Sequence, residues 1–127
     1  MILCDTNILI EFYKNTSQTI EELRQIGAGQ LAISVITQAE LYHGALNKAE
    51  LQKIKKHLAL LHQFPIDASI SDTFIQLMET YSLSHKLSIP DALIAATALT
   101  HEVELYTLNR KDYQFIPDLK LYQPVTH

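Results

Sequence analysis

The chain has a single cysteine, no tryptophan, and only three glycines and four prolines in 127 residues. One thiol cannot close an internal disulfide, so no disulfide framework is expected and a reducing compartment suits the protein. Cys4 stands beside Ile2 and Leu3, where it reads as a small buried hydrophobe rather than a nucleophile. The few glycines and prolines are scattered, which marks no linker, repeat or boundary, and the chain reads as one domain over residues 1–127. No apolar run approaches the roughly 18 residues of a membrane span. The opening residues carry no basic stretch, and Asp5 and Asn7 interrupt their apolar run, so they do not read as a signal peptide. A soluble, cytoplasmic protein with no membrane partner is expected. Positive charge is also scarce: ten Lys and Arg stand against fourteen Asp and Glu, a formal net charge of −4. Non-specific duplex binding by bulk charge is therefore disfavoured, though local fields matter more than the total.

What the chain does have is alternation of short apolar runs with amphipathic stretches. The pattern predicts strands at Ile2–Cys4, Leu31–Ser34, Phe64–Ile66 and Leu105–Thr107, with Leu119–Tyr122 as a candidate for a last one. It predicts helices from Asp5 to about Lys14, over Ser17–Ile26, from Ile36 to about Leu46, over Lys48–Gln63, over Ser69–Leu87, and from Ser88 to about His101. Gly27 and Gly29 are the candidate C-caps of the second helix. Strands alternating with helices imply an α/β fold of three layers, α/β/α, with a central, mostly parallel twisted sheet. Sites in such sheets form beyond the carboxyl ends of the strands.

Four acids fall at those positions. Asp5 follows the first strand, Glu40 lies early in the helix after the second, Asp91 opens the last helix, and Asp112 follows the Leu105–Thr107 run. Each has a bland explanation. Asp5 suits an N-cap; Thr37-Gln38-Ala39-Glu40 and Ser88-Ile89-Pro90-Asp91 read as capping boxes; Asp112 suits a solvated turn. Together they point elsewhere. Like-charged carboxylates gathered in one pocket are tolerated when a cation neutralises them. All-oxygen ligation without a His or Cys partner suits Mg²⁺ or Mn²⁺.

These residues resemble a family. Met1-Ile2-Leu3-Cys4-Asp5-Thr6-Asn7 is similar to the start of PIN domains, and more closely of the VapC-type toxins of bacterial toxin–antitoxin pairs. Ile33-Ser34-x-x-Thr37-x-Ala39-Glu40-Leu41-x-x-Gly44-Ala45 resembles the family's second block, Ile89-Pro90-Asp91-Ala92-Leu93-Ile94-Ala95-Ala96-Thr97-Ala98 its third, and Thr107-Leu108-Asn109-Arg110-Lys111-Asp112-Tyr113 its fourth. The resemblance implies that Asp5, Glu40, Asp91 and Asp112 form an acidic site for Mg²⁺ or Mn²⁺. Thr6, Ser34 and Asn109 would be polar supporting or substrate-orienting groups. Leu108 stands where the fourth block often has Arg, so one phosphate contact is missing there or is supplied by Arg110 or Lys111. The implied activity is metal-dependent endoribonuclease cleavage of structured RNA, such as tRNA or rRNA, in single-stranded loops. The implied partners are the RNA, a small cognate antitoxin protein docking near Phe12 and Tyr13, and a second copy of the chain in a homodimer.

Other chemistries find less support. Six histidines invite a zinc site, yet His57 and His62 are not aligned on one helical face, and His43 and His101 lack partners at ligand spacing. Gly27-Ala28-Gly29 follows a helix, not a strand, so it is no nucleotide loop. No Gly-x-Ser-x-Gly elbow is present. The six tyrosines, Tyr113 among them, read as packing or interface residues. The alternatives are a housekeeping PIN nuclease of RNA maturation without an antitoxin, and a non-catalytic module that kept the fold.

Overall fold

Successive side chains of a strand point to opposite faces, and here that alternation sorts the apolar residues into two cores. Strands β1 (Ile2–Cys4), β2 (Leu31–Ser34), β3 (His62–Phe64) and β4 (Glu104–Tyr106) make one sheet of order β3-β2-β1-β4, every pairing parallel. Leu3, Ala32, Phe64 and Leu105 share a core with Ile70 and Leu77 of α5 (Ala68–Tyr81) and the alanines of α6 (Ile89–His101). Cys4, Leu31, Ile33 and Tyr106 belong to the opposite core, with α1 (Thr6–Tyr13), α2 (Ser17–Ile26) and α4 (Lys48–Leu58). Helix α3 (Val35–His43) gives Ile36 to the first core and Leu41 to the second. The result is the expected three-layer α/β/α fold. Each fully buried Leu or Ile contributes roughly 1.5–3 kcal/mol. The computed structural model describes residues 1–125; the last two residues of the expected domain lie outside them.

Helix starts follow side-chain caps. Ser34 accepts from the Thr37 N–H at 3.2 Å, Asp67 from Ile70 N–H at 2.9 Å, and Ser88 from Asp91 N–H at 3.2 Å, with Pro90 in the first turn of α6. Gly27 ends α2 at φ +88°, a conformation costly for any residue with a Cβ, whereas Gly29 lies in a short 3-10 turn, Ala28–Gln30.

The structure shortens or shifts several predicted elements. Helix α4 stops at Leu58, well before Gln63, because His62–Phe64 is taken by the sheet, paired with Ala32–Ser34. The predicted strand Phe64–Ile66 is therefore displaced, since Pro65 has no N–H to continue a ladder. Helix α5 ends at Tyr81, not Leu87: the Tyr81 carbonyl accepts from His85 N–H at 3.0 Å and Leu87 N–H at 3.3 Å, and Lys86 is left-handed at φ +53°. Helix α3 starts at Val35 and ends at His43 rather than Leu46, and β4 begins one residue before the predicted Leu105. Residues Leu119–Tyr122 supply a single parallel bridge, Leu121 to Leu105, rather than a strand.

Because all strands run parallel, their carboxyl ends meet at one edge of the sheet. The order reverses at β1, with β2 on one side and β4 on the other. Such a switch point opens a crevice at that edge. Among the described residues no helix is long and apolar enough to cross a membrane.

Candidate active site

Asp5 emerges from β1 directly into the crevice, and it is buried, only 5% exposed. Its extended backbone (φ −66°, ψ 156°) makes it the N-cap of α1, and its Oδ1 accepts from the Thr6 N–H at 2.7 Å. Oδ2 accepts from the Thr107 hydroxyl at 2.8 Å and from the Tyr113 hydroxyl at 3.0 Å. Burial raises the Asp5 pKa from its ordinary value, against the lowering effect of these three hydrogen bonds, and the Glu40 charge raises it further.

Asp91 reaches the same place from the first turn of α6. It is half-buried, and its Oδ1 accepts from the Tyr113 hydroxyl at 3.0 Å. Burial raises its pKa too, and the charges of Asp5 and Asp112 add to the effect. Tyr113 is fully buried; burial first, then the charges of Asp5 and Asp91, push its own pKa up, so the phenol stays neutral.

Glu40 is held by a different chain of groups. Thr6 Oγ1 lies 2.7 Å from Glu40 Oε1 and 3.0 Å from Thr37 Oγ1, which lies 3.3 Å from Ser34 Oγ. A carboxylate only accepts, so the single Thr6 proton goes to Glu40, and Thr37 and Ser34 complete the relay behind it. This overturns the capping-box reading of Thr37–Glu40: Ser34 caps the helix three residues earlier, which leaves the Glu40 carboxylate for the crevice. At Ser88–Asp91 the serine half of the box forms, while the Asp91 carboxylate is engaged by Tyr113.

The remaining predicted residues sit at the rim. Asp112 is exposed in a 3-10 turn, Arg110–Asp112, near enough for its charge to act on Asp91. The Asn109 N–H donates to Thr107 Oγ1 at 3.0 Å, which ties that turn to the group touching Asp5. Arg110 donates through Nη1 to the Tyr122 carbonyl at 3.2 Å.

Sequence reasoning passed over Thr107 and set Tyr113 aside as packing, yet these two carry the hydroxyls on Asp5. The available signal was position: Thr107 closes the predicted strand Leu105–Thr107 and Tyr113 follows Asp112. Asn7 also belongs here, accepting from the Leu108 N–H at 3.2 Å and so joining α1 to the loop after β4.

Among the described residues none of the four acids has a Lys or Arg salt bridge. Among the described residues no three His, Cys, Asp or Glu side chains are grouped to hold an ion between them. The converging donors are two carboxylates, Asp5 and Asp91. That set fits Mg²⁺ or Mn²⁺: Mg²⁺ characteristically keeps several waters and takes one or two protein carboxylates. Burial first, and neighbouring carboxylate charge after it, raises both pKa values at this hydroxyl, so the ionised pair would gain from a cation.

A parallel α/β/α sheet with carboxylates collected at its switch point defines a class of site suited to hard cations and phosphate chemistry. The family model described as PIN domain matches residues 2–115, and the chain belongs to the PIN domain family. It is 33% identical over 122 residues to Ribonuclease VapC10 of Mycobacterium tuberculosis, covering 94% of this chain and 91% of that protein. It is 30% identical over 124 residues to Ribonuclease VapC1 of Methanocaldococcus jannaschii, covering 95% and 86%. Among solved structures it is similar to a toxin–antitoxin complex from Klebsiella pneumoniae, with TM-score 0.82, 33% identity and 100% of each chain covered. It is also similar to VapBC-1 from nontypeable Haemophilus influenzae, with TM-score 0.82, 26% identity and 97% and 98% covered.

Proposed function

We propose that the chain is a ribonuclease toxin that hydrolyses phosphodiesters of structured RNA, such as tRNA or rRNA, in single-stranded loops. One observation carries this reading: Asp5, just after β1, and Asp91, on α6, meet at one buried hydroxyl with no Lys or Arg salt bridge among the described residues. Membership of the PIN family and the VapC ribonuclease relatives support it.

Asp5 and Asp91 would hold Mg²⁺ or Mn²⁺, whose chemistry when bound is activation of water and stabilisation of charge on the scissile phosphate. Glu40, anchored through Oε1 by Thr6, orients water. Asp112 at the rim would help through water or a second ion. An acidic crevice repels a phosphate backbone, so Arg110 and Lys111 beside it supply the compensating charge for RNA entry. Unpaired loop nucleotides are the accessible substrates, because their bases are splayed away from helical stacking.

The structures similar to this chain include toxin–antitoxin complexes, and we extend that partnership to it. An apolar groove of about 590 Å³ lies among Phe12, Tyr13, Ile20, Leu23, Leu60 and Leu61, and Tyr13 continues into a second groove that reaches Glu40. A small antitoxin would seat apolar side chains there and bring a cationic one toward the acids.

The test is induced expression in bacteria with sequencing of new 5′ RNA ends, wild type beside Asp91→Asn. Growth arrest and new ends in tRNA or rRNA loops are expected for the wild type alone. Arrest and cleavage that persist in Asp91→Asn would overturn the assignment.

A further inference from the structure

The Tyr113 hydroxyl has one proton and two carboxylate acceptors, Asp5 Oδ2 and Asp91 Oδ1, each 3.0 Å away. Its oxygen cannot wander, because the ring is fully enclosed among core residues that include Leu3, Ile94 and Ile116. The core does not need that oxygen: a phenylalanine ring would pack there without burying a polar group. Thr107, the other hydroxyl on Asp5, touches only one of the acids. Among the described residues Tyr113 alone hydrogen-bonds to both acids, spanning the gap between the end of β1 and the start of α6.

We propose that Tyr113 is a positioning residue whose hydroxyl fixes the spacing and side-chain orientation of Asp5 and Asp91, so that the pair is built to accept a cation before one arrives. The proposal rests on the reading of this pair as the cation site. Partners that orient metal-binding side chains commonly cost 10–100-fold in metal affinity when removed.

Mn²⁺ binding by calorimetry separates the possibilities, measured on wild type, Asp91→Asn, Tyr113→Phe and the double variant, with a thermal melt of each. Tyr113→Phe is expected to bind Mn²⁺ about tenfold more weakly or worse, with a melt close to wild type. Its cleavage rate should recover at saturating Mn²⁺, and it should add nothing in the Asp91→Asn background. Tyr113→Met, which fills the same space without a donor, should show the same loss and guards against a packing artefact of one variant. Tyr113→Phe binding as tightly as wild type, or tighter, while Asp91→Asn is weakened, overturns the positioning role alone. Asp91→Asn binding Mn²⁺ like wild type brings down the cation site itself and this proposal with it.

Discussion

Asp5 follows the first strand and Asp91 lies in the first turn of the last helix, yet an oxygen of each lies 3.0 Å from the same phenolic oxygen. Only one of them can accept its proton at a time. Two ionised carboxylates in that arrangement repel, and no lysine or arginine among the described residues bridges to either. Several consequences for stability and activity come from this juxtaposition and from the contacts around it.

Asp91→Asn removes one charge while keeping an oxygen able to accept from Tyr113. It should reduce RNA cleavage by about 100-fold or more and, without metal at pH 7, raise Tm by about 3 °C. Opposite signs for activity and stability are the mark of a strained functional pair. A paired cleavage assay and thermal scan check both; a Tm that falls would contradict the repulsion.

The pH dependence follows with a definite sign. Burial raises the Asp5 and Asp91 pKa values in the folded chain, so between the unfolded and folded values the native state binds more protons than the unfolded one. Stability from these groups is full below the unfolded carboxylate pKa and is lost as pH rises through the folded values. Metal-free wild type should therefore lose stability upward through that window more steeply than Asp91→Asn. Urea melts across the acid range, with and without Mn²⁺, measure the difference.

Arg110 offers a separate readout. Its bond to the Tyr122 carbonyl is exposed, so Arg110→Ala should change stability by less than about 1 kcal/mol. If Arg110 also meets RNA phosphate, KM should rise and the salt dependence of binding should shallow by about one unit of slope. Unchanged salt dependence would assign Arg110 to the loop alone.

Glu22 is 1% exposed and accepts from the Tyr122 hydroxyl and, at 3.2 Å, from the Val125 N–H. Tyr122→Phe removes one donor from a buried carboxylate and should cost about 1–3 kcal/mol. Chemical denaturation of the variant reads this directly, and a loss below about 0.5 kcal/mol would show the Tyr122–Glu22 contact to be a surface detail.

Cys4 is wholly buried, and burial, with the Asp5 charge behind it, pushes its thiol up to about 12. A thiol reagent at pH 8 should leave the native chain unlabelled and modify it only after unfolding. Rapid labelling of the native protein would show β1 opening in solution.

The apolar runs at Ile2–Cys4 and Leu31–Ser34, and the caps before Thr6 and Ile89, are local matters, and the sequence was enough to find them: hydrophobic period and side-chain capping act within a few residues. The family blocks named four acids as candidates, and the fold brings two of them, Asp5 and Asp91, to one hydroxyl. Where strands join was beyond such reasoning. His62 and Gln63 read as the end of a helix by their own pattern and join Phe64 in β3 only because Ala32–Ser34 offers them a ladder. The role of Tyr113 was equally hidden, since its ring looks like core and is core; only packing aims the hydroxyl at two acids that the chain places far apart. Local residues determined which groups were available, whereas the closing of the sheet, by burying them together, decided which of those groups share a proton and a charge.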